Sequence, residues 1–271
     1  MAPCAILLDG LIHYYTVREG PSMPDYIWGR NPILETLRSA RRVRRILLAE
    51  GQRESPPLAA ITQEAERQHI PVETVPRGRL DQLSHGSVHQ GCLAIVEERR
   101  YVSLDEILAY AESKNEAPFL LILDSIQDIN NLGSLLRSAE AAGVHGVVIP
   151  QHRAAEITPA VVKSSAGATE YLLIAQETNL TRAIEHLKQR NIWVIGLAGE
   201  AKTLYSQADL TGPLALVVGN EGKGIGRLIR EHCDLLIRIP MRGHIDSLNA
   251  AVAGSIVLYE VLRQHETDLE G

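Results

Sequence analysis

The sequence predicts an α/β protein, in which helices cover a mostly parallel sheet and a smaller α/β unit comes first. Runs that are apolar throughout, such as residues 119–123 and 214–218, are typical of parallel strands buried on both faces. These runs alternate with stretches of helical periodicity, as expected for a sheet with helices on both sides. The chain has 271 residues, 45% of them hydrophobic, which is enough for two domains of this kind.

Composition excludes several classes of protein. A charged fraction of 22% beside this hydrophobic content does not fit a disordered chain. No apolar run approaches the roughly 18 residues of a membrane span, and the polar residues Asp9 and His13 interrupt any secretory signal. The three cysteines, Cys4, Cys92 and Cys233, form no CxxC pair, so we expect neither a disulfide framework nor a metal site. A reducing cytoplasm is the expected location.

The first hundred residues divide into a leader and a small unit. Residues 1–25 show no periodicity, and Met23 could be a second start, so we expect a loosely held leader. Residues 26–100 show an α/β pattern, with a helix that Asn31-Pro32 opens. The predicted strands are 43–49, 70–75 and 92–96, and a second helix is 57–69. A polar loop covers 84–91, and a linker with a polar helix is expected over 101–117.

Residues 118–271 form the larger predicted unit, in which strands and helices alternate. The predicted strands are 119–123, 144–149, 171–175, 192–197, 214–218 and 235–239. The predicted helices are 132–142, 157–167, 179–190 and 246–264, the last of them capped by Asp246 or Ser247. Parallel sheets bind ligands at the carboxyl ends of their strands. A ligand-binding or catalytic site is therefore expected in the loops that follow the strands.

The charge distribution is uneven. The net charge is −6, but residues 26–100 hold 12 Arg against 9 Asp or Glu. A cluster lies within eight residues: Arg38, Arg41, Arg42, Arg44 and Arg45. Guanidinium groups suit two-point phosphate contact, so the cluster indicates a nucleic-acid surface. A solvated surface without a partner explains it equally well.

Three loops carry unusual residues. The loop after 119–123 leads to Asn131-x-Gly133-x-x-x-Arg137, where a surface arginine is the simpler explanation of Arg137. The loop after 214–218 has four glycines in eight residues, which indicates a close approach of the backbone. It matches neither a P-loop nor the GxGxxG dinucleotide motif. The third loop, after 235–239, leads to Ser247-Leu248-Asn249.

Together these motifs resemble the SpoU-type (TrmH-like) RNA ribose 2′-O-methyltransferases of the SPOUT superfamily. The matching segments are Asn131 to Arg137, then Gly219-x-Glu221-Gly222, then Ile239-Pro240-Met241 followed by Ser247-Leu248-Asn249. Gly29 to Ile33 and Val88 to Gly91 resemble the N-terminal substrate-binding domain of the bacterial members. The resemblance covers roughly residues 26–265. It departs at Ile129, where the family usually has proline after Asp128.

The resemblance implies a trefoil-knot catalytic domain, an L30e-like RNA-binding domain, S-adenosylmethionine as cofactor and a homodimer. It implies catalytic roles for Arg137, Asn131, Glu221, Ser247 and Asn249. The implied cofactor contacts are Gly219, Asn220, Glu221, Ile239 and Leu248. The implied RNA contacts are Arg30, Arg38, Arg41, Arg42, Arg44 and Arg45, and no metal is implied.

The expected reaction is methyl transfer to a ribose of RNA, with a 23S rRNA guanosine as acceptor. Two alternatives stay open: methylation of tRNA or another rRNA site, and a non-catalytic RNA-binding protein on the same fold. A third class of protein, a nucleotide-dependent oxidoreductase, is also suggested by the glycine loop. The last is disfavoured by the glycine spacing.

Overall fold

The computed structural model describes residues 3–8, 11–16, 25–152 and 154–269. The chain forms two compact units, Met1–Arg99 and Arg100–Gly271. No helix among the described residues is long and apolar enough to cross a membrane.

The first unit contains a hairpin and a four-stranded sheet. Strands β1 (Pro3–Leu8) and β2 (Leu11–Thr16), both in the predicted leader, pair antiparallel. The sheet has the order β3-β6-β4-β5. Its strands are β3 (Asp25–Trp28), β4 (Val43–Ala49), β5 (Val72–Val75) and β6 (Cys92–Val96). Helices α1 (Arg30–Arg38), α2 (Pro56–Arg67) and α3 (Arg77–Leu83) complete it. The sequence did not predict β3 or α3, which are both short.

The second unit is a seven-stranded parallel sheet with the order β11-β13-β10-β12-β7-β8-β9. The strands are β7 (Phe119–Asp124), β8 (Gly146–Pro150), β9 (Leu173–Glu177), β10 (Trp193–Leu197), β11 (Thr203–Leu204), β12 (Leu214–Gly219) and β13 (Leu235–Arg238). The helices are α4 (Leu104–Ser113), α5 (Ile129–Ala141), α6 (Pro159–Ser164), α7 (Leu180–Gln189), α8 (Arg227–His232) and α9 (Ala250–Leu269). The predicted α/β class with a parallel sheet is confirmed.

The core of the second unit lies on both faces of the sheet. Every residue of β7 and β12 is buried, because helices cover the sheet on each side. Leu120 and Ile122 pack in one cluster with residues of α4 and α7. Helix α9 packs on α5, and Gly254 of α9 approaches Val218 of β12.

The segment 101–117 belongs to this core and is not a free linker. Ser103 caps α4 in a reciprocal capping box with Glu106. Leu104, Ile107 and Leu108 of α4 are buried in the cluster of the second unit. The helix therefore buries its apolar face like the other helices of the sheet.

Helix α9 begins four residues later than predicted, because Asn249 caps it. The Asn249 side-chain oxygen accepts hydrogen bonds from the backbone N–H of Ala251 (2.9 Å) and Val252 (3.2 Å). The predicted caps, Asp246 and Ser247, lie in the exposed segment before the helix.

Candidate functional site

The candidate site lies at the carboxyl edge of the parallel sheet. Strands β7 and β12 are neighbours, with Asp124 opposite Gly219 at their carboxyl ends. The loop after β7 therefore starts beside the glycine loop, residues 219–226, that follows β12. The last loop, residues 239–249, follows β13 and leads into α9. This edge is the expected ligand-binding edge of such a sheet.

Asn131 connects the three loops. Its side-chain amide donates a hydrogen bond to the carboxylate of Glu221 in the glycine loop. Its side-chain oxygen accepts a hydrogen bond of 2.8 Å from the Asn249 amide, at the end of the last loop. Asn131 itself is held by helix α5, where its backbone N–H donates to the N-cap residue Asp128 (2.8 Å). The predicted residues Asn131, Glu221 and Asn249 thus form one hydrogen-bonded chain.

Asp128 caps α5 although isoleucine replaces the family's proline after it. The helix begins at Ile129, so the departure from the family pattern leaves the turn intact. Proline at the first helical position restricts φ to a helical value, and isoleucine can adopt the same value.

The glycine loop folds back on itself. The Gly224 backbone N–H donates to the Asn220 carbonyl (2.8 Å), and Gly224 adopts a positive φ of 64°. The Asn220 side chain accepts from the Gly222 N–H (2.9 Å) and donates to the Ser125 carbonyl (3.1 Å). A Cβ on Gly219 would overlap the backbone of Gly224. Gly219 and Asn220 therefore determine the shape of the loop, while Glu221 at its exposed tip faces the other motifs.

Asp124 is part of this arrangement, although none of the sequence motifs includes it. Its side chain is buried and accepts hydrogen bonds from the Gly226 N–H (2.7 Å) and the Ser125 hydroxyl (2.9 Å). The available signal was a carboxylate at the end of an otherwise apolar strand. Such a residue is buried only where its oxygens find donors.

The last loop is exposed, and in the described part of the chain its backbone N–H and C=O groups are largely unpaired. Residues 241–249 are exposed, and within the described part of the chain residues 240–248 make no hydrogen bond. Ile239 is half-buried, and Leu248 is at the limit of exposure. Ser247, a predicted catalytic residue, makes no hydrogen bond to Asn131, Glu221 or Asn249. The loop therefore presents backbone groups and apolar side chains at the carboxyl edge.

Arg137 lies apart from the hydrogen-bonded chain. The helix begins at Ile129, so Arg137 is on its third turn, about 12 Å along the axis from the start of the helix. The side chain is exposed, and it has no hydrogen-bond or ion-pair partner among the described residues. Arg137 makes no hydrogen bond to Asn131 or Glu221. Its guanidinium is free to bind a partner from outside the chain.

Gly133 of the first motif has a packing role. A Cβ at this position would overlap the side chain and backbone of Ser164 at the end of α6. The Ser164 hydroxyl donates to the Ile129 carbonyl (3.1 Å) at the start of α5. Gly133 therefore lets α6 approach the helix that carries Asn131.

In the first unit, the predicted RNA-binding residue Arg41 is used internally. Its side chain is 10% exposed, with Nη2 at 2.6 Å from Asp25 and Nε donating to the Glu97 carbonyl at 2.9 Å. A guanidinium held in this way has little capacity for phosphate. Arg41 is better explained as a structural residue that joins β3 to the end of β6.

Three other arginines of the cluster are exposed, and we call Arg42, Arg44 and Arg45 the exposed arginine group. Their ion pairs, with Glu97 at 3.6 and 3.7 Å and with Glu73 at 2.9 Å, are solvent-exposed. Such pairs contribute little and are easily exchanged for another anion. The remaining predicted residues are Arg38, which pairs with Glu35, and Arg30, which donates to the Ser55 hydroxyl (3.0 Å).

Thiol chemistry finds no support. Burial raises the pKa of the Cys92 and Cys233 thiols to about 11, so both are protonated at neutral pH. The described residues hold no cluster of three or more His, Cys, Asp or Glu that could bind a metal ion.

Comparison with known proteins identifies the family. Residues 118–259 match the SpoU rRNA methylase family, and residues 26–102 match the substrate-binding domain of RNA 2′-O ribose methyltransferases. The TrmH family tRNA/rRNA methyltransferase YacO of Bacillus subtilis is 45% identical, over 89% of this chain and 96% of its own length. The 23S rRNA (guanosine-2′-O-)-methyltransferase RlmB of Pectobacterium atrosepticum is 42% identical, over 89% of this chain and 99% of its own length.

A solved structure agrees with these matches. The SpoU methyltransferase AviRb of Streptomyces viridochromogenes, in complex with the cofactor AdoMet, is similar with a TM-score of 0.75 and 26% identity. The similarity covers 89% of this chain and 90% of that one. The chain therefore belongs to the SpoU rRNA methylase family of RNA 2′-O-methyltransferases.

Proposed function

We propose that this chain transfers a methyl group from S-adenosylmethionine to the 2′-hydroxyl of a guanosine in 23S rRNA, in the cytoplasm. The observation that carries the proposal is the hydrogen-bonded chain Glu221–Asn131–Asn249, which joins three loops far apart in sequence. RlmB relatives that share 42% identity are named for this acceptor. The domain match over residues 26–102 supports an RNA substrate.

The carboxyl edge fits S-adenosylmethionine, which supplies an activated methyl group on a sulfonium. The backbone N–H and C=O groups of residues 241–248 have no partner among the described residues and suit the polar edge of an adenine. Ile239 and Leu248 offer apolar surface for its ring. Gly219 and Asn220 shape the neighbouring loop, and Glu221 lies at its tip. We assign these five residues to the cofactor site.

Arg137 would act on the RNA. Guanidinium groups stay protonated in proteins, so Arg137 is a poor base and a good anion ligand. We assign it to a phosphate of the target and to the negative charge that develops on the 2′-oxygen. Its exposure and lack of a protein partner support an external ligand. Asn131, Glu221, Ser247 and Asn249 would position the ribose, and positioning supplies much of the acceleration in such a transfer.

The first unit would hold the rest of the RNA. The exposed arginine group, with Arg30 and Arg38, can bind backbone phosphates, which orients an RNA without reading its sequence. A 2′-hydroxyl acceptor makes RNA the substrate instead of DNA. Residues 26–100 would thus be the substrate-binding domain, and residues 118–271, together with the helix of 101–117 that packs in the same core, the catalytic domain.

A homodimer is the assembly we propose, formed through the last helix. Val252 and Tyr259 of α9 are 49% and 50% exposed, and Ile256 between them is half-buried. These residues lie near one face of α9, while the opposite face packs on α5. A second copy would bury this apolar face. We also propose the trefoil knot, which is consistent with β12 lying between β7 and β10.

The test is methyl transfer with purified protein and labelled S-adenosylmethionine. Transcripts of 23S rRNA fragments and of tRNA are compared as acceptors, and the modified residue is mapped by its resistance to alkaline cleavage. A 2′-O-methylguanosine in the 23S fragment is expected. Methylation of tRNA alone would make tRNA the substrate and contradict the proposed 23S rRNA acceptor. Methylation of a base would contradict the proposed transfer to a ribose hydroxyl.

Measurements of ligand binding distinguish the methyltransferase from a non-catalytic RNA-binding protein and from an oxidoreductase. Calorimetry is expected to show binding of S-adenosylmethionine and none of NAD. A chain that binds RNA but not S-adenosylmethionine would be a non-catalytic member of the fold. Mapping of 2′-O-methylation across the rRNA of a strain lacking this gene, with and without the restored gene, identifies the nucleotide.

A further inference from the structure

The two ends of the glycine loop lie beside one buried residue, Asp124. Asp124 ends β7 and is 7% exposed. Its register partner in the sheet is Gly219, the first residue of the loop. Its carboxylate oxygen accepts a hydrogen bond of 2.7 Å from the backbone N–H of Gly226, the last residue of the loop. Both ends of an eight-residue loop therefore meet on Asp124.

Burial makes this contact strong. A carboxylate out of water is costly unless donors replace its hydration, and Asp124 has two of them, Gly226 N–H and the Ser125 hydroxyl. Hydrogen bonds to a charged group stabilise more than neutral ones. A Cβ on Gly226 would lie at 3.2 Å from the same carboxylate oxygen, so the fit is close.

A second hydrogen bond joins the same two loops. The Asn220 side chain donates to the carbonyl of Ser125, the residue next to Asp124. The tip of the loop, Glu221 to Lys223, is exposed between these attachments. The loop is thus fixed at its base, while its exposed tip, where Glu221 accepts a hydrogen bond from Asn131, faces the candidate site.

We infer that Asp124 is a positioning residue, which holds the glycine loop in the conformation that binds S-adenosylmethionine. This inference rests on the proposed function. A loop that is ordered before binding loses less conformational entropy when the ligand arrives, so pre-ordering raises affinity. Asp124 acts through the loop and needs no contact with the cofactor.

The experiment compares Asp124→Ala and Asp124→Asn with a matched control, Asp234→Ala. Asp234 also accepts a hydrogen bond from a backbone N–H, that of Val194 (2.9 Å), and it pairs with Lys188 (2.7 Å). It lies at the amino-terminal ends of β10 and β13, at the edge of the sheet opposite the glycine loop. Asp234→Ala therefore measures how a loss of stability alone changes cofactor binding, with the contacts of the glycine loop left in place.

We expect Asp124→Ala to weaken S-adenosylmethionine binding about tenfold or more, the scale of a lost hydrogen bond to a charged group. Asp124→Asn keeps the shape and one acceptor oxygen, so a smaller loss is expected. The KM for S-adenosylmethionine is expected to rise while kcat at saturation changes less than about threefold, because the contacts at the loop tip are intact. Hydrogen exchange of residues 219–226 in the free protein is expected to quicken in both variants.

Asp234→Ala is expected to lower the melting temperature without changing cofactor affinity. If Asp124→Ala does not fold, Asp124→Asn decides by the same measurements. Unchanged affinity and exchange in a folded Asp124 variant would overturn the inference, as would an equal loss of affinity in Asp234→Ala. A wild-type protein that binds no S-adenosylmethionine would instead contradict the proposed function.

Discussion

Replacement of Arg137 by alanine separates catalysis from folding. The side chain is exposed on α5 and has no partner among the described residues, so its removal breaks no contact there. Exposed substitutions of this kind change stability by less than about 0.5 kcal/mol, and alanine is a better helix former than arginine. The melting temperature should therefore shift by less than about 2 °C. Cofactor affinity should be unchanged.

Activity should respond very differently. Loss of one preorganised group that stabilises transition-state charge costs about 10²–10³ in rate, or about 2.7–4 kcal/mol. The assay is single-turnover methyl transfer at saturating S-adenosylmethionine and RNA, with melting and calorimetry on the same samples. Arg182→Ala is the control, since Arg182 is also exposed on a helix without a side-chain partner among the described residues and lies outside the three loops.

A lysine at position 137 tests the geometry. Arg137→Lys keeps the charge but not the planar fork, so it should recover little of the activity. Turnover near the wild-type level in Arg137→Ala would refute the assigned role. Early melting or lost cofactor binding would instead make Arg137 a structural residue.

Three further predictions follow from the packing and the charges. Replacing the exposed arginine group by glutamine should weaken RNA binding and lower the slope of log affinity against log salt concentration by about 2. Arg41→Gln should instead lower the melting temperature and leave that slope unchanged. Filter binding at several salt concentrations measures the slope, and an unchanged slope in the triple variant would exclude the exposed arginine group as an RNA-binding surface. Gly133→Ala should destabilise the protein by about 1–3 kcal/mol, because the added methyl group overpacks against α6. Adding Ser164→Gly should restore part of that stability. An unchanged melting temperature in the single variant would contradict this packing role. Val252→Asp, alone or with Tyr259→Ser, should convert a dimer to a folded monomer in sedimentation; a dimer that persists places the interface elsewhere.

The pattern of apolar residues along the sequence predicted most strands and helices of the second unit. Strands such as β12 are buried on both faces and so read as continuous apolar runs, and the alternation with helices indicated the parallel sheet. The strands β4 and β6 of the first unit have the predicted limits. Short elements with few apolar residues, such as α3 and β11, give no comparable signal. The candidate residues Asn131, Glu221 and Asn249 could be named from sequence, because their motifs resemble those of a known family.

What only the tertiary structure decided is which of these residues touch. Asn131 and Asn249 are 118 positions apart, and no periodicity reports that their side chains lie at 2.8 Å. The burial of Arg41 and the role of Asp124 depend on strand neighbours and register, which long-range packing determines. The start of α9 was also decided in three dimensions, because Asn249 both caps the helix and contacts Asn131. Local sequence determines which segments can form strands and helices, whereas the free energy that brings loops together comes from burying those segments against one another.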